Sequence, residues 1–220
     1  MHSAAFDTGE LFTPSKIVCV AKNYHDHARE MGDAAPTEPL FFIKPNSALW
    51  PQGTMVVSKP RWTEDFQHEI ELAIRISRQC SQVSPKEVFR YCDAAAVGID
   101  FTARDAQARL KNAGHPWELA KAFDGACLLS TFVKFSSLEK LQKLNLELRV
   151  NDELRQQGNS AHMIHQIPFL ISAASKLFTL EPGDVILTGT PAGVSPLVKG
   201  DSVVASIEDI GEIQFVVDEV

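Results

Sequence analysis

The sequence predicts an α+β protein built predominantly from strands, and three observations carry that prediction. Short apolar runs rich in β-branched residues recur at Lys16 to Val20, Leu40 to Ile43, Ile70 to Ile76, Ala94 to Ile99, Leu144 to Val150, Val185 to Leu187 and Ser202 to Ile207. Helix signals are few. Pro and Gly are dispersed rather than gathered into a linker, and no internal repeat divides the chain, so residues 1–220 are expected to form one domain.

Each element has its own signal. From Leu144 to Val150 the apolar residues alternate with Asn145, Glu147 and Arg149, which fits a sheet with one wet face. Asn151-Asp152 then reads as a hairpin turn, with Glu153 to Gln157 as the returning strand. Ser84-Pro85-Lys86-Glu87 has the form of an N-cap, a Pro at the first helical position and a capping-box Glu, predicting a helix to about Cys92. Further helices are expected at Thr102 to Asn112 and at Ala161 to Phe178, where Pro168 should disturb the middle. Gly183 and Gly200 each lie in a turn just before a strand.

Composition excludes several function classes. With 45% hydrophobic residues in a chain of 220, a sizeable core can be buried. The formal charge of -7 and the lack of a Lys/Arg-rich block argue against nucleic acid as a partner, so an anionic substrate must be held by a local site. Residues 1–14 have neither a basic start nor an apolar core, and no apolar run reaches the length of a membrane span; a soluble cytoplasmic protein is expected. Cys19, Cys80, Cys92 and Cys127 are scattered and are expected to be reduced thiols in the core.

Four segments could carry chemistry. On a strand, Ile70, Leu72, Ile74 and Ile76 face one way, while Glu69 and Glu71 project side by side from the other face. Such a pair either lies solvated on a half-exposed strand or binds a hard cation such as Mg2+, Mn2+ or Ca2+. Asp100, at the end of the run from Ala94, is a candidate third ligand or a helix cap. In Asn23 to Met31, His27 and Glu30 are three apart and meet on one face if the segment is helical, so the carboxylate could orient the imidazole as a general base. His25 lies on a different face. Arg104, Gln107 and Lys121 could stabilise developing negative charge or simply be solvated. The loop Leu187 to Val194 could offer N–H groups and the Thr190 hydroxyl to a carboxylate, or be a turn; it lacks a phosphate-loop pattern.

Taken in order, these segments resemble the fumarylacetoacetate hydrolase family, specifically its short members that include acylpyruvate hydrolases and oxaloacetate decarboxylases. The motifs are N-Y-x-x-H-x-x-E-M at Asn23 to Met31, F-x-K-P at Phe42 to Pro45 and H-E-x-E-L at His68 to Leu72. They continue with D-x-T-x-R-D-x-Q at Asp100 to Gln107, P-W-x-x-A-K-x-F-D at Pro116 to Asp124 and G-D-V-I-L-T-G-T-P-x-G-V at Gly183 to Val194.

The resemblance implies a rolled, barrel-like mixed sheet with peripheral helices, one catalytic domain over residues 1–220, a homodimer, and Mg2+ or Mn2+ bound by Glu69, Glu71 and Asp100. By the same correspondence His27 and Glu30 form a catalytic dyad with Lys121 facing developing charge, while Lys22, Arg104, Gln107 and Thr190 contact substrate. The implied substrate is a small 2-oxo acid. Hydrolysis of an acylpyruvate to pyruvate and a carboxylic acid is the first expectation. Oxaloacetate decarboxylation, or isomerisation or tautomerisation of a 2-hydroxy-diene-dioate, comes second, and a non-catalytic oxo-acid binder third. Lys22, Gln67 and Ser195 depart from the family's common residues (Arg, His and Gly) without removing a proposed ligand.

Overall fold

The β-branched runs pair into two main sheets, and turn chemistry decides which strands become neighbours. The structure, a computed structural model, describes residues 1–219. β1 (Ala4–Ala5) and β2 (Leu11–Phe12) form a short ribbon, followed by β3 (Lys16–Ala21), α1 (His25–Glu30), β4 (Leu40–Pro45) and β5 (Val56–Lys59). Next come β6 (Phe66–Gln67), β7 (Ile70–Ile76), β8 (Cys92–Asp100), β9 (Thr102–Ala103), α2 (Arg104–Ala113) and α3 (Glu118–Lys121). The chain continues through β10 (Cys127–Leu129), β11 (Val133–Lys134), β12 (Asn145–Val150), β13 (Glu153–Asn159) and α4 (Ile167–Leu177). It closes with β14 (Val185–Leu187), β15 (Ser202–Ile207) and β16 (Gly211–Glu219).

One sheet runs β10-β8-β7-β14-β3-β4 with β11 beside β8; the other runs β13-β12-β15-β16-β5. Both are mixed, since β14 pairs parallel with β3 and β16 parallel with β5 among otherwise antiparallel neighbours. They curl into a half-barrel, as expected for a rolled sheet. β12 lies against β7, and β16 against β8. Ile70, Leu72 and Ile74 from one sheet and Leu146, Leu148, Val203 and Phe215 from the other fill the space between them. Each such side chain stabilises the fold by about 1.5–3 kcal/mol on burial.

The hairpin expected at Asn151-Asp152 forms, with both residues left-handed at φ 50 and 65, the turn that matches strand twist. Burial alternates along β12, as a sheet with one wet face requires. All four cysteines are free and buried.

Other expectations are corrected. No α-helix follows Ser84: its hydroxyl donates to the Glu87 carboxylate at 2.6 Å instead of capping the backbone. Only a tight turn forms at Val88–Arg90, because β8 begins at Cys92 and pairing with β7 claims the chain. α2 starts at Arg104, two residues late, because Thr102 and Ala103 pair with β6. α4 starts at Ile167, and Pro168 sits in its first turn, where a missing N–H costs nothing, so it begins the helix rather than disturbing it. Finally, the second face of β7 is not wet. Ala73 packs there with Cys19, Ala96 and Leu187, and Glu69 and Glu71 are only 5% and 1% exposed.

Candidate active site

Antiparallel pairing of β7 with β8 sets Ile70 opposite Ile99, so Glu69 and Asp100 emerge together where the two strands meet. Asp100 N–H donates to the Glu69 carbonyl at 2.9 Å. Glu71, two residues on, stands opposite Gly98 on the same face. Carboxyl oxygens of Glu69, Glu71 and Asp100 all lie within 4.8 Å of one another. Asp100 is therefore no helix cap.

Three buried or half-buried cations face this cluster. Lys121 donates to Glu69 and Asp100, both at 2.9 Å, and Arg104 to Glu69 at 2.6 Å. Lys44, fully buried on β4, lies 2.7 Å from Asp100 Oδ1. Three cations of the protein's own thus relieve part of the repulsion among the carboxylates.

The compensation is uneven. Burial alone would raise the Glu69 carboxyl, but the charges of Lys121 and Arg104 outweigh it and hold the group well below the usual carboxylate range. Glu71 has no such partner; burial, then the charges of Asp100 and Glu69, push it well above that range. Its carboxylate accepts from the Gly189 N–H at 2.5 Å. Asp100 Oδ1, although near Lys44, has no aligned hydrogen bond among the described residues. An under-compensated Glu71 and an orphaned buried Asp100 oxygen, beside Glu69, fit a hard divalent cation.

α1 forms over the segment expected to carry the His/Glu pair, and His27 Nδ1 lies 3.1 Å from Glu30 Oε2. Glu30 also accepts from the Gly193 N–H at 3.0 Å, tying α1 to the loop after β14. That loop depends on its glycines. Gly189 and Gly193 have φ 95 and 101, and a Cβ on Gly193 would collide with the Arg155 carbonyl oxygen. His25 is exposed on another face.

One cleft gathers nearly every residue singled out: His27, Glu69, Glu71, Lys121, Lys22, Arg104, Gln107 and Thr190 line it. Asp100 lies behind Lys121, and Glu30 behind His27. Arg104 donates to Gln107 at 2.6 Å and to Gln67 at 2.9 Å, so the amides hold the guanidinium against Glu69.

Such a cleft, with a carboxylate triad on one wall and a His/Glu pair on another, is matched at the sequence level. The family model for the fumarylacetoacetate (FAA) hydrolase C-terminal region matches residues 16–218. The chain belongs to this family. It is 45% identical over 202 residues, 92% of this chain and 91% of the relative, to a bovine protein named oxaloacetate tautomerase FAHD1, mitochondrial. Identity is also 45% over 195 residues, 88% of this chain and 89% of the relative, to oxaloacetate tautomerase YcgM of Escherichia coli strain K12. Among solved structures, fumarylpyruvate hydrolase from Pseudomonas aeruginosa in complex with Mn2+ and pyruvate superposes with a TM-score of 0.95 at 31% identity, covering 99% of this chain and 96% of that one.

Two buried residues at this family site escaped the sequence reading. Lys44 stood in the F-x-K-P motif, and a lysine at the end of an apolar strand was the available signal. Gln156 is fully buried on a strand that is otherwise mostly exposed. Its Oε1 accepts from Ile70 N–H and from His68, both at 3.0 Å, and its Nε2 donates to Thr190 and Pro191 at 2.7 and 2.8 Å. Ser195 turns away from the cleft to bond His68 at 2.9 Å, and burial pushes His68 down to about 4.

Proposed function

We propose that this chain is an enzyme that moves a proton at the carbon next to the 2-oxo group of a small 2-oxo acid, with keto–enol tautomerisation of oxaloacetate as its first activity. The observation that carries the reading is the His27–Glu30 pair, bonded at 3.1 Å in the same cleft as the Glu69/Glu71/Asp100 cluster. The bovine and Escherichia coli relatives, each 45% identical, support oxaloacetate as substrate.

Glu69, Glu71 and Asp100 would hold Mg2+ or Mn2+, which supplies Lewis acidity toward the adjacent carboxylate and 2-oxo oxygens of the substrate. Glu30 accepts a hydrogen bond from the Nδ1–H of His27 and so leaves Nε2 to take a proton from substrate. In tautomerisation His27 removes a proton from C3 of the keto form and, as the imidazolium, gives it to the 2-oxo oxygen of the resulting enolate, and the reverse sequence restores the ketone. Lys121 and the Arg104/Gln107 pair place positive charge and donors beside the oxygen that becomes negative. Thr190 offers a hydroxyl to the substrate carboxylate, and Lys22 a charge at the far end of the cleft.

A second reading, hydrolysis of an acylpyruvate, draws support from the fumarylpyruvate hydrolase likeness and from the same pair of residues. His27 would take a proton from water as the hydroxide half bonds to the distal carbonyl. The C–C bond then breaks, and the pyruvate half leaves as an enolate that His27 protonates at C3. A homodimer and a cytoplasmic location are proposed with it, although the bovine relative's name places that protein in mitochondria. No helix of the described residues is long and apolar enough to cross a membrane.

The deciding experiment incubates the Mg2+-loaded protein with enol oxaloacetate, fumarylpyruvate and acetylpyruvate, following loss of enol absorbance, pyruvate and CO2. Accelerated ketonisation without pyruvate supports the first reading. Pyruvate from the acylpyruvates supports the second, and binding without turnover of any substrate overturns both.

A further inference from the structure

The mouth of the cleft carries a charged trio that the proton-transfer chemistry leaves unused. One Asp33 oxygen accepts from Lys22 Nζ at 2.9 Å, and Lys111 Nζ lies 2.9 and 2.7 Å from the two oxygens. All three side chains line the same cleft as Glu69, Glu71 and Thr190. Two ammonium groups around one carboxylate leave a positive charge over. Lys22 is held there at a cost, since its φ of 57 lies in the left-handed region that a lysine rarely adopts.

The trio has a defined place relative to the reacting end. Arg104, Gln107 and Lys111 share one face of α2, at spacings of three and four residues. Arg104 binds Glu69 at one end of that face, and Lys111 lies about 10 Å of helix rise further along. Phe42, Trp117 and Met31 line the cleft as well and suit an aliphatic chain.

We propose that Lys22 and Lys111 form a subsite for the second carboxylate of a dicarboxylic 2-oxo acid, with Asp33 standing where that carboxylate binds. This rests on the reading that places the oxo-acid end at Glu69, Glu71 and Asp100, and it adds the substrate class. An incoming carboxylate presents the same two oxygens as Asp33 and gains the uncompensated charge, whereas a methyl terminus gains neither. Oxaloacetate, whose three C–C bonds of about 1.5 Å span less than half of that rise, fills only the reacting end, so the subsite concerns longer diacids that share the same proton-transfer chemistry. If Asp33 only latched the loop after α1 to α2, losing Lys111 would weaken every ligand alike.

Calorimetric titration of the Mn2+-loaded protein with matched ligands separates these cases. The pairs are 2-oxoglutarate with 2-oxopentanoate and 2-oxoadipate with 2-oxohexanoate, each differing only in the terminal group. Oxalate, too short to reach the mouth, is the internal reference. The proposal expects the diacid of the six-carbon pair to bind about tenfold tighter than its methyl-ended match, the scale of one charge-assisted contact. That ratio should fall to about twofold or less in Lys111→Gln and in Lys22→Asn, a residue that tolerates φ 57. Asp33→Asn should raise it. Equal affinities within both pairs, or a preference that survives both lysine substitutions, would overturn the subsite while leaving the proposed chemistry intact. Failure of oxalate itself to bind would overturn the placement of the oxo-acid end, and the subsite with it.

Discussion

Gln156 Nε2 donates to the Thr190 hydroxyl at 2.7 Å, and that bond decides where the hydroxyl can send its own proton. The carboxamide cannot be flipped: Pro191 O on one side can only accept, and Ile70 N–H on the other can only donate. Thr190 therefore accepts from Gln156 and presents its O–H as a donor to the cleft, suited to an anionic oxygen. Gln156→Leu leaves Ile70 N–H and the Pro191 carbonyl unpaired in the interior, at about 1–3 kcal/mol each. Urea unfolding should show a stability loss of that combined size, and a change within experimental error would remove Gln156 as the hub.

His27→Ala should slow oxaloacetate tautomerisation by about 100-fold or more, the usual scale of general acid–base catalysis. His25→Ala, on the exposed face of α1, should leave the rate near wild type. A reversal of these two results would transfer the base to His25.

Much of this site was legible because its strands obey simple alternation. β7 and β14 begin and end where the β-branched runs predicted, and the His27/Glu30 spacing closed into a hydrogen bond. What could not be read was context. The Ser84 capping box looked complete, yet the backbone of Tyr91 and Cys92 was already committed to strand partners. From its own strand Glu71 read either as a solvated residue or as a cation ligand, because its partner Gly189 lies in the loop after β14, distant in sequence. Gln156 is flanked by polar residues on an edge strand, so only the close approach of the loop at Pro191 gives it a role.

Lys44→Met removes the cation nearest Asp100 from a fully buried position. Breaking a buried ion pair on one side costs about 3–5 kcal/mol, so the metal-free variant should unfold at clearly lower urea. Added Mn2+ should recover part of the loss, since a bound cation stabilises the native state by mass action. An unchanged midpoint without metal would mean that Lys121 alone compensates Asp100.

Hydrogen bonds from Lys111, then from Lys22, hold the Asp33 carboxyl below the ordinary carboxylate range. A carboxyl lowered in the folded state contributes stability above its unfolded value of about 3.9 and loses it as pH falls through the folded value. Followed by NMR, Asp33 should titrate lower than a model carboxyl, and Lys111→Gln should move it up. An unchanged midpoint in the variant would remove Lys111 as its partner.

Direct Mn2+ titration of the wild type and of the Glu69→Gln/Glu71→Gln double variant tests whether Glu69, Glu71 and Asp100 form the proposed metal site on which activity depends. The wild type should bind one ion per chain. EDTA should abolish turnover, and Mg2+ or Mn2+ should restore it better than Ca2+, whose coordination is longer and looser. The double variant should remain folded while its Mn2+ affinity drops by about 100-fold or more, as expected when two of three charged oxygen ligands are neutralised. Unchanged Mn2+ binding by the double variant would remove Glu69 and Glu71 as ligands, and full wild-type turnover in EDTA would mean that activity needs no metal.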